Sequence, residues 1–147
     1  MSALPALPEP PQSQETGSSP QLRASLIARR QQYGDTVARE REAEIIALCD
    51  GVIDVTAAMF SVSSKELRRT ARTSLDVSRV RQIAMYVAHV VLGLKMNDIG
   101  KGFGRDRTTV IYACHIIEDL RDDIEFDRVV ATVERVMKAA FCQNRQI

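Results

Sequence analysis

Basic and small polar side chains stand together in the run Arg105–Asp106–Arg107–Thr108–Thr109. An arginine can form a bidentate hydrogen bond with guanine, and the methyl group of a threonine can contact the methyl group of thymine. A helix that begins here also attracts phosphate at its N-terminus, because its first backbone N–H groups have no partner within the helix. This is the chemistry wanted where a recognition helix enters the major groove of DNA.

The elements around this run predict a helix-turn-helix. Residues 95–103 have the pattern of a short helix, and a longer helix is predicted to follow Asp106, its candidate cap, as far as about Arg121. Glycines at positions 100, 102 and 104 make a tight turn possible at little cost in backbone strain. A short helix and a turn are a weak signal alone, but basic residues just upstream strengthen it.

The other predicted elements are helices as well, on the evidence of apolar residues spaced three and four apart. In chain order they are a helix at 43–60, a short helix capped by Ser63 or Ser64, a loop at 70–75, a helix from Asp76 or Ser78 to about Leu92 with Gly93 as its left-handed cap, and a last helix at roughly 125–141. No convincing strand occurs. We therefore predict an all-α chain.

The distribution of proline divides the chain into three parts. All five prolines lie in residues 1–20, and this segment has too little apolar surface to offset its ordering entropy, so we predict a disordered tail there. Residues 21–42 have a poor apolar pattern and are predicted to be either a further helix or a linker. Residues 43–143 are predicted to be the helical domain.

Composition excludes several classes of protein. The chain has 147 residues, room for one domain, with 45% hydrophobic and 27% charged residues. No apolar run is long enough to span a membrane, and the N-terminus lacks the pattern of a secretory signal. Three cysteines do not make a disulfide framework, so a reducing cytoplasm is the expected compartment.

Charge is concentrated in the middle of the chain. Residues 65–107 contain ten Lys or Arg and four Asp or Glu, a net charge of +6, whereas the rest of the chain has a net charge of −5. Within this region Arg79, Gln82, Tyr86 and His89 recur at helical spacing and predict a polar stripe. A polyanion-binding surface is one explanation and a solvated helical face is the other.

No other group of residues predicts chemistry. A metal site at His89, or at His115 beside Cys114, is disfavoured because the ligands are few and scattered, and Cys49 and Cys114 fit small core positions better. An acidic cluster could bind a cation or act in catalysis, but a solvated helix junction is favoured there: Asp119, Asp122, Asp123 and Glu125. We predict no catalytic residue, no metal and no cofactor, and hence a protein that is not an enzyme.

Residues 52–141 resemble the C-terminal DNA-binding domain of DnaA, the bacterial chromosomal replication initiator. Two segments carry the resemblance, Val77-Ser-Arg-Val-Arg-Gln-Ile-Ala-Met85 and Asp98-Ile-Gly-Lys-Gly-Phe-Gly-Arg-Asp-Arg-Thr-Thr-Val110. The resemblance implies a Trp-repressor-like helix-turn-helix bundle of about six helices that recognises a short asymmetric box in double-stranded DNA.

The resemblance also implies a role for individual residues. Those expected in the major groove are Arg105, Asp106, Arg107, Thr108 and Thr109. Those expected at phosphates are Arg79, Arg81, Gln82, His89, Lys95 and Lys101. The basic loop expected near the minor groove contains Arg68, Arg69, Arg72 and Thr73.

The chain departs from the family pattern at several of these positions. Arg107 stands where the family usually has His, Thr73 where it has the minor-groove arginine, and Asn97 where it usually has Pro. One glycine is missing between Phe103 and Arg105. We hypothesise that Arg107 favours a guanine that His would select less strongly.

These observations predict a sequence-specific DNA-binding protein that regulates transcription or replication initiation and is associated with the nucleoid. The nucleotide-binding pattern G-x-x-x-x-G-K-[ST] does not occur, so we expect no ATPase module. The alternative is a helical interaction module that has lost specific DNA binding. In either case residues 21–42 can supply an interface with a second copy or another protein.

Overall fold

The structure, a computed structural model, describes residues 3–6, 8, 19–69 and 74–142. Its elements are α1 (Pro20–Phe60), α2 (Ser64–Arg68), α3 (Leu75–Val90), α4 (Met96–Phe103), α5 (Arg107–Leu120), α6 (Ile124–Met137) and a π-helical turn (Lys138–Cys142). These ranges contain six α-helices and no strand, which confirms the predicted all-α class. In the same ranges, no helix combines the length and apolar character needed to cross a membrane.

The chain divides into two compact units, Met1–Val37 and Ala38–Ile147. The first unit contains the helical residues 20–37. For this region the sequence predicts either a helix or a linker. Five large apolar side chains of this helical part are exposed: Leu22, Leu26, Ile27, Tyr33 and Val37. Of the predicted tail, residues 1–2, 7 and 9–18 lie outside the described residues, and residues 3–6, 8 and 19 are exposed without regular structure.

Helix α3 lies at the centre of the second unit. It contacts α2, α4, α5 and α6, and eight of its sixteen residues are buried. Burying each large apolar side chain contributes about 2 kcal/mol. The other core residues come from every neighbouring helix, including Val52 and Ile53 of α1, Ile99 of α4, Ile117 of α5 and Val133 of α6. This packing fixes α4 and α5 against α3.

Side chains and one glycine define the ends of these helices. The hydroxyl of Ser74 accepts a hydrogen bond from the Val77 N–H (3.4 Å) at the start of α3, and the carboxylate of Asp123 accepts one from the Phe126 N–H (2.9 Å) at the start of α6. Gly93 has a φ of 66°, and its N–H donates to the His89 carbonyl (3.1 Å). The prediction of a left-handed cap at Gly93 is confirmed.

A few residues were predicted on the wrong face of their helix. Tyr86, predicted on the polar stripe, is 5% exposed, and its hydroxyl accepts a hydrogen bond from Arg121 Nη1 (3.1 Å). Met59 and Val129 continue the apolar spacing of their helices, which predicts them buried, but both are exposed. Ala140 continues the apolar spacing of α6 and is also exposed, because the chain leaves the α-helical period at Lys138 and continues as a π-helical turn.

Arg121 ties α5 to α6 and α3. Its Nε donates to the Asp127 carboxylate (2.6 Å), and its Nη1 donates to Glu134 and to Tyr86. Burial alone would lower the pKa of Arg121, but its hydrogen bonds with Asp127, Tyr86 and Glu134 raise that pKa above the usual value. Two acidic residues at this junction thus serve the fold, since Asp123 caps α6 and Asp127 holds Arg121. In the parts of the chain that are described, no group of His, Cys, Asp and Glu could hold a metal ion.

Candidate nucleic-acid interface

Helices α4 and α5 are joined by a three-residue turn, Gly104–Asp106. Gly104 has a φ of 64°, a conformation that favours glycine, and the N–H of Arg105 donates to the Gly100 carbonyl (2.8 Å). A Cβ atom on Gly100 would lie 2.6 Å from the Arg105 carbonyl oxygen. The turn can therefore fold this closely against α4 only because position 100 is glycine.

The turn leaves the first residues of α5 at the surface. Asp106, Arg107, Thr108 and Thr109 are all exposed, whereas Val110 is fully buried and anchors the helix in the core. Asp106 occupies the predicted cap position, but its carboxylate makes no hydrogen bond to the helix. The side chains with base-reading chemistry thus lie together on one exposed helix end.

Most residues predicted to contact phosphate lie on α3 and α4. Arg79 Nη1 donates to Gln82 Oε1 (2.8 Å), so these two side chains form one polar unit on α3. His89 Nδ1 is 2.9 Å from the Leu94 carbonyl oxygen, which can only accept, so this nitrogen carries a proton. Lys95 and Lys101, just before and within α4, are exposed.

Arg81 differs from the other predicted phosphate contacts because it is 7% exposed. Its Nε donates to the Leu67 carbonyl (2.8 Å), and its Nη2 lies 3.0 Å from the Glu66 carbonyl and 3.3 Å from that of Arg69. Burial, together with the nearby charge of Arg105, lowers the pKa of Arg81. This environment favours a role inside the fold over the phosphate contact that the sequence predicts.

The predicted basic loop is also tied to its surroundings. Arg68 pairs with Asp50 (3.4 Å) and Asp54 (3.3 Å) of α1, and Arg69 pairs with Glu66 (3.1 Å). The carbonyl of Arg69 accepts a hydrogen bond from Arg105 Nη2. The other two predicted loop residues, Arg72 and Thr73, lie outside the described residues, as does most of the predicted loop at 70–75.

Sequence reasoning missed how Arg81 and Arg105 meet at the end of α2. One signal was available, because Arg81 stands four residues before Met85 and seven before Ala88, which places it on an apolar face of α3. Nothing in the spacing indicated that Arg105, in the turn between α4 and α5, would reach the same carbonyl.

Residues 49–117 match the family model of the bacterial DnaA protein helix-turn-helix. This segment, 69 of the 147 residues, is similar to DnaA helix-turn-helix domains, and we call it the DnaA-type domain. It contains α2, α3, α4 and the greater part of α5, and thus the exposed helix end and the turn before it. The resemblance inferred from residues 77–85 and 98–110 is confirmed.

The curated relatives of this chain include chromosomal replication initiator proteins DnaA. The chain is 35% identical over 83 residues to DnaA of Lachnoclostridium phytofermentans, an alignment that covers 55% of this chain and 18% of that protein. It is 42% identical over 62 residues to DnaA of Mycobacteroides abscessus, with 42% and 12% covered. The matched part thus spans less than a fifth of either relative.

Two solved structures share the fold of the DnaA-type domain. A replication initiator DnaA bound to AMPPCP and single-stranded DNA aligns with a TM-score of 0.58 and 23% identity over 66% of this chain and 30% of that chain. A DNA replication initiation factor aligns with a TM-score of 0.64 and 21% identity over 83% and 37%.

Proposed function

We propose that the DnaA-type domain binds double-stranded DNA at a short sequence related to the DnaA box. The observation that carries this proposal is the exposed start of α5, where Asp106, Arg107, Thr108 and Thr109 stand on an anchored helix end. The net charge of +6 over residues 65–107 supports the same function, because a basic surface attracts the phosphate backbone. The domain would bind DNA without catalysing a reaction and would require no cofactor or metal.

Each exposed side chain suits a particular contact. Arg107 can form a bidentate hydrogen bond with guanine, Thr108 and Thr109 can contact the methyl group of thymine, and the carboxylate of Asp106 can accept a hydrogen bond from cytosine N4. Lys95, Lys101, Arg79, Gln82 and His89 are the proposed phosphate contacts, which set the orientation of α5 in the groove.

We propose that the chain regulates transcription or replication initiation by occupying such boxes. A protein that covers a box excludes other proteins that need the same bases, including a replication initiator. The proposal also places the chain on the nucleoid. It is supported by the kinship of residues 49–117 with DnaA helix-turn-helix domains.

Selection from a random duplex pool tests the function. Purified protein is expected to enrich one short asymmetric sequence at two salt concentrations. With Arg107→His, the preference for guanine at one position should weaken by about 5- to 150-fold, corresponding to about 1–3 kcal/mol for a lost bidentate contact. Arg128→His, at an exposed position of α6, is the matched control and should select the wild-type sequence. Enrichment of no sequence would contradict the proposal.

A second proposal concerns the exposed apolar residues of the first unit, which we assign to pairing with a second copy of the chain. Leu22, Leu26, Tyr33 and Val37 follow one another at spacings of four, seven and four residues, and this pattern is the same in both directions. An antiparallel second copy would therefore set Leu22 against Val37 and Leu26 against Tyr33. Arg29 meets Arg30 at the centre of this pairing, which keeps the dimer weak.

Sedimentation equilibrium tests the pairing. The wild-type chain should self-associate as its concentration rises toward about 100 μM. Such a high concentration is needed because each copy contributes only four apolar side chains, which form a small interface. Leu26→Asp should remain monomeric. Gln31→Asp introduces the same charge on the opposite face of the helix and should behave as the wild type. A monomer throughout this range would rule the pairing out.

A further inference from the structure

The C-terminal end of α2 is held by two arginines from different elements. Arg81, on α3, donates to the carbonyls of Glu66 (3.0 Å), Leu67 (2.8 Å) and Arg69 (3.3 Å). Arg105, in the turn before α5, donates to the carbonyl of Arg69 as well. The last carbonyls of a helix lack partners within it, and these guanidinium groups supply donors to the carbonyls at this end of α2. The Glu66 carbonyl also accepts a hydrogen bond from the Arg69 N–H (3.3 Å).

Arg105 is itself fixed by the helix-turn-helix. Its N–H donates to the Gly100 carbonyl (2.8 Å). Its own carbonyl oxygen lies only 2.6 Å from the position that a Cβ atom on residue 100 would occupy. The side chain of Arg105 thus leaves a constrained backbone and ends on the Arg69 carbonyl, so one hydrogen bond connects the turn to the end of α2.

The surroundings of Arg105 argue against a direct contact with bases. Its Nη2 is engaged at Arg69, and its Nε is buried without a hydrogen-bond partner among the described residues. Arg107, two residues later, is exposed. Arg81 and Arg105 carry like charges close together, an arrangement that costs energy unless carbonyl oxygens offset it.

We propose that Arg105 and Arg81 are positioning residues that couple the end of α2 to the recognition turn, so that DNA contacts of Arg68 and Arg69 depend energetically on those of α5. This inference rests on the proposed DNA binding. It replaces the predicted roles of Arg105 as a base contact and of Arg81 as a phosphate contact.

The first test uses the free protein and is independent of DNA binding. Amide hydrogen exchange at residues 66–69 should become at least about 5-fold faster in Arg105→Ala, because one of the two arginines that hold this segment is lost. Arg107→Ala removes a neighbouring arginine that lacks this contact and should leave the exchange unchanged. Unchanged exchange in Arg105→Ala would overturn the proposal even if the chain binds DNA as proposed.

The second test is a double-mutant cycle on a selected duplex. Arg105→Ala and Arg69→Ala should each weaken binding, and the double variant should bind only slightly more weakly than Arg105→Ala, because that change already misplaces Arg69. The slope of log K against log salt should be the same for Arg105→Ala and Arg69→Ala, because both variants lose the DNA contact of Arg69. If the loss of affinity in the double variant equalled the product of the two single losses, the two residues would act independently and the coupling would be overturned. Failure of the wild type to bind any selected duplex would instead contradict the proposed function, and the exchange experiment would still decide whether Arg105 holds the segment.

Discussion

Arg105 and Arg107 are two residues apart and chemically identical, yet their environments give them different tasks. The first is directed inward to the Arg69 carbonyl, and the second is exposed on the first turn of α5. Arg81 also lies in the basic region, but its guanidinium group is bound to three backbone carbonyls inside the fold. At this scale the function of an arginine depends on which acceptors the fold brings within reach.

Thr109 and Lys101 are expected to contribute to binding in different ways. Thr109→Ala weakens the proposed methyl contact to thymine, so it should relax the preference at one base pair by less than the about 1–3 kcal/mol of a bidentate contact. Lys101→Ala removes a phosphate contact, so it should weaken binding to every duplex and reduce the slope of log K against log salt by about 1. Fluorescence anisotropy with the selected duplex, its single-base variants and a scrambled duplex measures both. Equal effects of the two substitutions on all duplexes would contradict the assigned roles.

Two buried cysteines predict how stability depends on pH. Burial and the charges of Asp50 and Asp98 raise the pKa of Cys49 to about 11, and burial with the charge of Glu118 raises that of Cys114 to about 11, from 9.0. Thiols with raised pKa values bind protons more tightly in the folded state. Their contribution to stability is therefore complete below pH 9 and is lost as the pH rises toward 11.

Urea titrations at several pH values check this expectation. The free energy of unfolding of the wild type should fall between pH 9 and pH 11. In the double variant Cys49→Ala, Cys114→Ala this fall should be shallower, although the variant starts from a lower stability because core volume is lost. Parallel curves for the two proteins would show that the thiols do not contribute.

At the scale of elements, the turn between α4 and α5 determines where α5 begins. The resemblance to DnaA predicts one more glycine here than this chain has. In the turn that is present, Gly104 lies in the left-handed region and the Arg105 N–H donates to the Gly100 carbonyl. Much of this could be predicted from the sequence, because glycines and a polar helix start are local signals.

Gly100→Ala should damage this turn. The new Cβ would lie 2.6 Å from the Arg105 carbonyl oxygen, a backbone atom that cannot rotate away. We expect a loss of about 1–3 kcal/mol in the free energy of unfolding and a weaker affinity for the selected duplex. Chemical denaturation and anisotropy measure the two effects.

Gly34→Ala is the matched control for that substitution. Position 34 is also helical, but no heavy atom lies within 4 Å of the added Cβ. Alanine has the higher helix propensity, so this variant should gain up to about 1 kcal/mol and bind DNA as the wild type does. Destabilisation by both substitutions alike would mean that helical context, and not the close approach at Gly100, sets the cost.

The parts of the fold that the sequence could not predict depend on packing between distant residues. Helix ends at Ser74, Gly93 and Asp123 follow local rules. The exposure of Val129 and the burial of Tyr86 do not, because they depend on which side of each helix faces α3 or Arg121. The same holds for the candidate site, where the exposed start of α5 was predictable and the meeting of Arg81 with Arg105 was not.

At the scale of the whole molecule, the basic region and the DnaA-type domain coincide. The matched residues 49–117 include the segment 65–107 that carries the net charge of +6, and the acidic excess lies outside that segment. Such a distribution directs the polyanion to one part of the chain and leaves the total charge near zero. Affinity for any duplex should therefore fall with salt, and discrimination between duplexes should depend on α5.

The most direct test of this account compares the equilibrium binding of the selected duplex with that of a scrambled duplex of the same composition, over a range of salt concentrations. The account predicts an affinity at least about 10³-fold higher for the selected duplex near physiological salt. Both affinities should fall as salt rises, and the difference should largely disappear when Arg107, Thr108 and Thr109 are replaced together by alanine. Equal affinities of the wild type for the two duplexes would contradict the central claim that this helix end recognises a DNA sequence.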